Sequence, residues 1–529
     1  MRLDFRRLLP TLLLVLAAAL APGASARASV LRVASAFDPQ TMDPHALALL
    51  YHSRVAFQVY EFLVNRDEKF KLEPALAVSW QATGPTTWRF RLRPGVKFHD
   101  GSSFTADDAV FSIERALGPT SQRSFSLKGL VAVRKVDDLT IDFQLAAPDA
   151  VWPEKLWLVA MMSRSWARQH GVEKAQDFNG KQETHTVRNA MGTGPFRLES
   201  YQPDVRLVLR RFDGWWNRSD ARNGNVDEVV FVGIRSDATR LAALASGEVD
   251  LVLDPPFQDV GRLKTDPRLT VLSVPDIGMQ YFTFDQARDE LLHGDVKGRN
   301  PFKDVRVRQA VAHALNVDLI IEKVLRGQAT PSGTFLSPLV DGYQAELDRR
   351  IPYDPARARS LLAQAGYPGG FSVTLDCVNV AYREAVCQAA TAMLAQVGIR
   401  ATLRSSPTNQ FFPKLSQATA SFIEFGWTPA TDPWAMLNAL FRTWDPQGGG
   451  TFNAGRYSNA QLDALIDAVR TEPDLTRRRA RVGVALRLIH DDLPYIPLYR
   501  RTLNWAMARK VTAVQWPNDT MELRWVKVR

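Results

Sequence analysis

The sequence has few cysteines and lacks the common catalytic motifs. Two of its 529 residues are cysteine. The motifs H-E-x-x-H, G-x-S-x-G, the Walker P-loop, G-x-G-x-x-G and C-x-x-C do not occur. Motif-based readings as a zinc peptidase, a serine hydrolase, a nucleotide-binding enzyme or a dithiol oxidoreductase therefore have no support, and we expect neither enzymatic activity nor a cofactor.

Long hydrophobic runs are also scarce, and the one near the N-terminus is short. It spans residues 8–20, follows a basic stretch, and precedes Ala24-Ser25-Ala26-Arg27-Ala28, which offers cleavage after Ala26 or Ala28. A spanning helix needs about 20 apolar residues. We therefore interpret residues 1–28 as a removable signal peptide, with an N-terminal membrane anchor as the alternative. No cysteine near the cleavage site offers a lipid anchor, so we expect a soluble periplasmic protein.

The excess of positive charge is diffuse. The formal net charge is +10, and the one dense basic run, Arg477 to Arg479 with Arg481, lies in a segment with helical periodicity. Nucleic-acid sites usually combine a basic patch with a recognisable binding module, and no such module is present. We interpret the run as a solvated helix face and expect no nucleic-acid partner.

The two cysteines, Cys377 and Cys387, follow a signal peptide, and an exported protein meets an oxidising compartment. We therefore predict a disulfide that connects the end of a strand to the start of the next helix. A metal site is the alternative, although two thiols do not specify one. The close histidine pair, His45 and His52, is an equally weak indication of a metal or haem site.

Strand and helix patterns alternate along the chain, which predicts an α/β fold. The clearest unit is a strand over 371–377, a helix over 384–397 and a second strand over 399–404, a succession that predicts parallel pairing. About 500 mature residues are too many for one core, so we expect two or three folding units.

Several blocks, in order along nearly the whole mature chain, give the sequence a family resemblance. The blocks are Thr41-Met42-Asp43-Pro44-His45, Leu92 to Gly101 with its continuation to Glu114-Arg115, Gly192-Thr193-Gly194-Pro195-Phe196, Asn300 to Ala310, Tyr353-Asp354-Pro355 through Gly366-Tyr367, and more weakly Gly426-Trp427 with Asp432-Pro433. Together they resemble the peptide/nickel class, family 5, of solute-binding proteins of ABC importers, which includes dipeptide and oligopeptide receptors.

The resemblance implies a bilobal periplasmic-binding-protein fold with a hinge between the lobes. The implied segments are lobe I at 29–57, 191–280 and 499–529, its extra subdomain at 58–190, and lobe II at 281–498. Crossovers are expected near residues 275–285 and 497–504. Such proteins close around the ligand by hinge motion. The implied partners are a peptide-like or other small solute and the permease and ATPase subunits of an importer, and the protein itself is expected to be a monomer.

The resemblance also places the binding pocket. The implied residues are Ala48, Leu49, Leu50, Tyr51, Glu424, Gly426, Trp427, Thr428, Ala430 and Tyr499. Trp427 and Tyr499 offer flat, rigid contact surfaces, with core packing as the alternative.

One position departs from the pattern of peptide receptors. These proteins usually carry an Asp three residues after the Trp, where it pairs with the ammonium of a peptide, and here that residue is Ala430. A buried ammonium needs a partner. Glu424 and Asp432 are candidate replacements. Nickel-chelate or haem binding, an opine or sugar ligand, and a holdase or redox role for an exported protein of this fold stay open as alternatives.

Overall fold

A computed structural model describes residues 29–428, 432–446 and 449–529 of the protein. The predicted signal peptide, residues 1–28, lies outside the described residues, as does Ala430.

The described strands alternate with helices along most of the chain. The strands are β1 Val30–Ser35, β2 Val64–Arg66, β3 Leu72–Pro74, β4 Ala77–Gly84, β5 Thr87–Leu92, β6 Leu130–Asp137, β7 Thr140–Leu145, β8 Phe196–Gln202, β9 Arg206–Arg211, β10 Glu228–Gly233, β11 Leu251–Leu253, β12 Leu269–Pro275, β13 Met279–Phe284, β14 Ala329–Pro331, β15 Phe371–Val378, β16 Ile399–Ser406, β17 Phe422–Trp427, β18 Tyr495–Ala508, β19 Val511–Thr512 and β20 Lys527–Val528. The α-helices are α1 Leu50–Ala56, α2 Ala106–Leu117, α3 Trp152–Lys155, α4 Arg164–Gln169, α5 Asp237–Ser246, α6 Phe257–Thr265, α7 Val305–Ala314, α8 Val317–Lys323, α9 Pro355–Gln364, α10 Ala381–Ala395, α11 Thr408–Ser416, α12 Pro433–Met436, α13 Ala460–Thr471 and α14 Leu475–Asp492. This is the α/β content that the alternating pattern predicts.

One long strand, β18, connects the two halves of the main sheet. Its first residues pair with β13, where Gln280 lies opposite Tyr499, and its later residues pair with β11 and β12. The sheet therefore runs in the order β16-β15-β17-β13-β18-β11-β1-β10-β9-β8, with β12 and β14 also paired to β18. The backbone passes directly from one half to the other along this strand.

Each half of the sheet contains three parallel strands. In one half, β1 lies parallel between β10 and β11, and in the other β15 lies parallel between β16 and β17. The predicted parallel strand–helix–strand unit is confirmed as β15-α10-β16. Its helix begins three residues earlier than predicted, at Ala381.

A separate four-stranded antiparallel sheet, β4-β5-β7-β6, packs against α2. The residues of β5 alternate in burial towards its end: Phe90 and Leu92 lie in the core, whereas Arg91 between them is exposed. At the start of α2 Thr105 and Asp108 form a capping box, in which the backbone N–H of Thr105 donates to the Asp108 carboxylate at 3.0 Å.

The basic run in α14 is only partly the solvated face that we predict. Arg477 and Arg479 are exposed, whereas Arg478 is buried and makes two hydrogen bonds to the Asp432 carboxylate, at 2.8 and 2.9 Å. Because successive helix residues point in different directions, one member of a charge run can face the core when an acidic partner lies there.

Candidate functional site

A cavity lies between the two halves of the main sheet. Its volume is about 500 Å³. One wall comes from residues 254–258, directly after β11, and another from residues 380–382 and Ala385, after β15. Ligands of open α/β sheets bind outside the carboxyl ends of parallel strands, because the loops there are free to vary. The cavity has this position for both sets of parallel strands.

Two carboxylates on the first wall share a single guanidinium. Arg54, on α1, bonds Asp254 Oδ2 at 2.8 Å and Asp519 Oδ2 at 2.5 Å. Both aspartates line the cavity. Burial raises the pKa of Asp519 to about 6, Arg54 opposes the rise and the charge of Asp254 adds to it. Burial would also raise the pKa of Asp254, but the Arg54 guanidinium outweighs it and holds that pKa below the usual value.

The long strand β18 supplies one residue of a second charged pair. Arg501, on β18, bonds the buried Asp276 carboxylate at 2.8 Å and lies near the Tyr382 ring. Tyr382 in turn contacts Phe257 of the first wall, with ring centroids 5.3 Å apart. Arg501, Tyr382 and Phe257 all line the cavity. Aromatic rings from both halves of the sheet therefore meet beside a cation.

Behind this wall lies a buried ion pair between Arg383 and Glu424. Arg383 Nε and Nη2 bond Glu424 Oε2 at 2.8 and 2.7 Å. The Glu424 side chain is 0 % exposed and that of Arg383 is 12 % exposed. Burial raises the pKa of Glu424, and Arg383 offsets only part of the rise. The Glu424 carboxylate is therefore already paired with a cation of the protein.

The predicted disulfide is confirmed between Cys377 at the end of β15 and Cys387 in α10. It closes the segment that carries Tyr382 and Arg383, so it fixes the second wall of the cavity. Glu424 lies beside it, and the two sulfurs and a carboxylate oxygen lie within 4.8 Å of one another. Because both sulfurs are in the disulfide, they are not available as thiolate ligands for a metal.

Unpaired polar atoms lie on the sheet face beside this ion pair. The Tyr499 hydroxyl and Gln280 Oε1 are buried and have no hydrogen-bond partner among the residues that the structure describes. Burial raises the pKa of Tyr499 well above its usual value, and the Glu424 charge adds to the effect. The Gln280 side chain covers Gly426, where an added Cβ would collide with its amide. Buried polar atoms usually have a partner, so these two could receive one from a solute.

The predicted stretch after His45 leads into the start of α1. Ala48, Leu49 and Leu50 are exposed. Tyr51 is half-buried, stacks on Phe37 with centroids 5.1 Å apart, and borders a small separate cavity.

Two of the predicted residues, Gly426 and Trp427, are the last residues of β17, and Thr428 follows that strand. Trp427 is half-buried, with its ring centroid 6.4 Å from that of Phe452, and Thr428 is exposed. Asp432 is engaged elsewhere, since it caps α12 and binds Arg478. None of the nine predicted pocket residues that the structure describes lines the cavity of about 500 Å³, and Ala430 lies outside the described residues. Their role as ligand contacts stays a prediction.

Sequence reasoning missed the residues that do line this cavity. The most prominent are Asp254, Phe257, Tyr382, Arg501 and Asp519. Position after a parallel strand is the signal that could have identified Asp254, Phe257 and Tyr382. For Asp519 we find no sequence signal, because it reaches the cavity through tertiary contacts with Arg54, Gln515 and Trp505.

None of the described helices has both the length and the apolar composition needed to cross a bilayer.

Comparison with known proteins identifies the family. Residues 71–448 match the family described as bacterial extracellular solute-binding proteins, family 5. The chain is 29 % identical, over 94 % of its length and 93 % of the relative's, to a glutathione-binding protein, GsiB, of Pectobacterium atrosepticum. It is also 29 % identical to heme-binding protein A of Haemophilus influenzae, over 83 % of this chain and 81 % of that protein.

Solved structures share the fold. The periplasmic binding protein DppA of Helicobacter pylori, in complex with the peptide STSA, superposes with a TM-score of 0.77 at 24 % identity, covering 95 % of this chain and 98 % of that one. The fold is therefore the bilobal periplasmic-binding-protein fold, and the predicted role as solute-binding component of an ABC importer is confirmed. The chain belongs to the family 5 bacterial extracellular solute-binding proteins.

Proposed function

We propose that the protein captures a small peptide-like solute in the cleft between the predicted lobes and delivers it to the permease without chemical turnover. The cavity beside β18 is the observation that supports this proposal. Its volume of about 500 Å³ lies within the range of about 300–1,000 Å³ that is usual for small-molecule sites.

The lining has the chemistry that a short peptide needs. The lining carries charges of both signs, the carboxylates of Asp237, Asp254 and Asp519 and the guanidinium groups of Arg326 and Arg501. A zwitterionic solute can place its ammonium and carboxylate groups against these opposite charges, while the Phe257 and Tyr382 rings contact an apolar part. The relatives described as glutathione-binding proteins agree with this class of solute.

Haem fits the cavity less well. Haem iron is usually held by His, Cys, Met or Tyr. Among the described lining residues there is no His, Cys or Met, and Tyr382 is the one residue of a haem-ligating type. The heme-binding relative therefore gives weaker support than the glutathione-binding one.

The predicted domain boundaries belong to this proposal. Lobe I at 29–57, 191–280 and 499–529, with its subdomain at 58–190, would close against lobe II at 281–498. The predicted pocket residues, including Trp427 and Tyr499, would contact the solute in the closed form. Residues 1–28 would be removed on export, and the mature chain would act as a monomer.

Native mass spectrometry of protein purified from the periplasm tests the proposal, followed by isothermal titration calorimetry with glutathione, trialanine and haem. We expect one solute per chain, of peptide-like composition, with quenching or enhancement of tryptophan fluorescence on binding. Replacement of Trp427 by Phe should remove part of that fluorescence change, whereas replacement of Trp444, which is exposed, serves as the control. Binding of haem but of no peptide would contradict the proposal.

A further inference from the structure

A tryptophan of α12 lies between two cations that come from distant parts of the chain. The Lys155 ammonium lies 4.7 Å from the centre of the Trp434 ring, and the Arg470 guanidinium carbon lies 5.1 Å from it. Lys155 belongs to the predicted subdomain, residues 58–190, whereas Trp434 and Arg470 belong to the predicted lobe II. The face of an indole ring attracts cations at such distances. The Lys155–Trp434 contact therefore connects two segments that would approach each other when the cleft closes.

Arg470 contacts the predicted subdomain in the opposite direction. Its Nη2 atom lies so close to the backbone of Gly129 that a Cβ added there would be 3.0 Å from it. The Arg470 Nε atom is buried and has no hydrogen-bond partner among the described residues. Lys155 thus extends from the subdomain to Trp434, and Arg470 extends from lobe II to Gly129. We call these four residues the latch.

The carboxylates near the latch do not supply the attraction across it. Burial raises the pKa of Asp432 in lobe II, and the charge of Glu154 in the subdomain adds to the rise, so these two like charges oppose the contact. Glu154 is bonded to Arg66 and Asp432 to Arg478, each within its own segment. The indole N–H of Trp434 is buried without a partner among the described residues. The polar attraction across the contact therefore comes from the ring face and the Lys155 cation.

We infer that the latch stabilises the closed form of the cleft and thereby sets solute affinity from outside the cavity. The inference rests on the proposed function, and it adds the residues that hold the closed form to the hinge motion that the fold implies. The described side chains of Lys155, Trp434 and Arg470 do not line the cavity of about 500 Å³. A contact that forms only on closure raises the apparent affinity by increasing the population of the closed form.

Calorimetry and stopped-flow kinetics of Trp434→Leu test the inference, with trialanine and glutathione as probes. We expect Kd to rise by about 3- to 10-fold, the range of a partly desolvated cation–π contact. The change should lie in the dissociation rate, because a bound solute leaves only after the contact has broken. Both probes should lose affinity by the same factor, since the latch does not touch the solute.

The outcomes separate the latch from the proposed function. If wild-type protein binds a probe and Trp434→Leu binds it with the same Kd and dissociation rate, the inference is overturned and the proposed function stands. A loss that differs strongly between the two probes would show direct contact with the solute and would also overturn it. If wild-type protein binds neither probe, the proposed function fails together with the inference.

Trp444 provides a matched control. Its ring also lies under a guanidinium, that of Arg456, at 4.4 Å, but both residues belong to one short segment of the predicted lobe II. Trp444→Leu therefore removes the same kind of contact without separating two segments, and its Kd should stay within about twofold of the wild type. An equal loss of affinity in Trp444→Leu and Trp434→Leu would contradict the inference.

Variants of Lys155 test whether its charge acts through Trp434. Lys155 also bonds the buried Asp149 carboxylate at 2.5 Å, so Lys155→Met should lower stability independently of the latch. A double-mutant cycle of Kd values removes that effect. We expect Lys155→Met with Trp434→Leu to bind no more weakly than the weaker single variant, and Lys155→Arg, which keeps the cation, to bind like the wild type. Additive losses in the double variant would overturn the inference.

Urea unfolding of the free variants separates affinity from folding. Trp434→Leu that is less stable than the wild type but keeps its Kd and dissociation rate would show a purely structural role and overturn the inference. If Trp434→Leu does not fold, Trp434→Phe takes its place. Phenylalanine keeps a ring whose face attracts cations less than that of tryptophan, so we expect Kd to rise by about 2- to 3-fold, and an unchanged Kd would again overturn the inference.

Discussion

The buried Arg383–Glu424 pair allows a prediction whose size and pH dependence both follow from the structure. Replacement of Arg383 by Met keeps the apolar stem and removes the charge. Glu424, with no exposed side-chain surface, is then a buried carboxylate without its cation. Breaking a buried pair in this way costs about 3–5 kcal/mol. We expect a loss of about 3 kcal/mol, because Arg383 lies at the edge of the cleft and water can enter the space that it leaves.

The loss should depend on pH in a definite direction. Burial already raises the pKa of Glu424, and without Arg383 that pKa rises further. The folded state then binds more protons than the unfolded state, so the free energy of unfolding falls as pH rises from the unfolded pKa to the folded pKa. The deficit of Arg383→Met should therefore be smaller at pH 5 than at pH 8.

Urea unfolding at both pH values measures this deficit. The matched control is Arg404→Met, since Arg404 also pairs with a fully buried carboxylate, Asp376, but Lys414 contacts that carboxylate as well, at 2.9 Å. The control should lose clearly less than the Arg383 variant. Adding Glu424→Leu to Arg383→Met should recover most of the loss, because no buried charge is left. A deficit equal to that of the control, or one that grows towards low pH, would refute the reasoning.

Three further predictions concern the cleft and its supports. Tyr499→Phe removes a buried hydroxyl without a described partner, so the empty protein should gain about 1 kcal/mol in urea unfolding while solute affinity falls in calorimetry; lower stability would show that the hydroxyl is paired. Replacing Cys377 and Cys387 together by Ser should lower the free energy of unfolding by about 2–3 kcal/mol in the chain-entropy model and weaken solute binding, and unchanged affinity would show that the second wall does not need the disulfide. Asp43→Ala leaves the buried Arg115 guanidinium without its carboxylate and should cost about 3–5 kcal/mol in thermal or urea unfolding, which a loss below 1 kcal/mol would contradict.

Much of the fold could be predicted because residues of different recognisable blocks contact one another in the folded chain. Asp43, in the first block, accepts two hydrogen bonds from Arg115, at the end of the second. His99, in the second block, bonds the backbone oxygens of Gly192 and Gly194 in the third. Each of these contacts needs both of its residues, so the residues of one block depend on those of another. Their order along the chain therefore indicates the fold, although none of them indicates the solute.

Local patterns also predicted features that depend on neighbouring residues alone. Asp304 and Asp354 each lie directly before a helix and accept backbone N–H bonds at 2.8 and 2.9 Å, and Asp is among the residues preferred at that position. Cysteine spacing and export together predicted the disulfide. In each of these cases the partner lies within ten residues, so no knowledge of the tertiary arrangement is needed.

The partners of the charged residues could not be predicted in this way. Glu424 was a candidate for a solute contact, but α10 places Arg383 against it from 41 positions away in the chain. Arg54 and Asp519 are 465 residues apart and meet only because the C-terminal segment returns to α1. Pairings of this kind depend on how helices and strands pack, and a charge pattern alone contains no information on that packing.

The distribution of partners in the cleft bears on how the protein can select its solute. Arg54, Arg383 and Arg501 are each already bound to an internal carboxylate, so a solute gains little by replacing those bonds. The Tyr499 hydroxyl and the Gln280 side-chain oxygen have no partner among the described residues, so each would gain a full hydrogen bond from a solute that reaches it in the closed form. A site that hydrogen-bonds its ligand rejects analogues lacking the matching group more strongly than an apolar pocket does. Selectivity should therefore depend on these two uncharged oxygens more than on the ion pairs of the cleft.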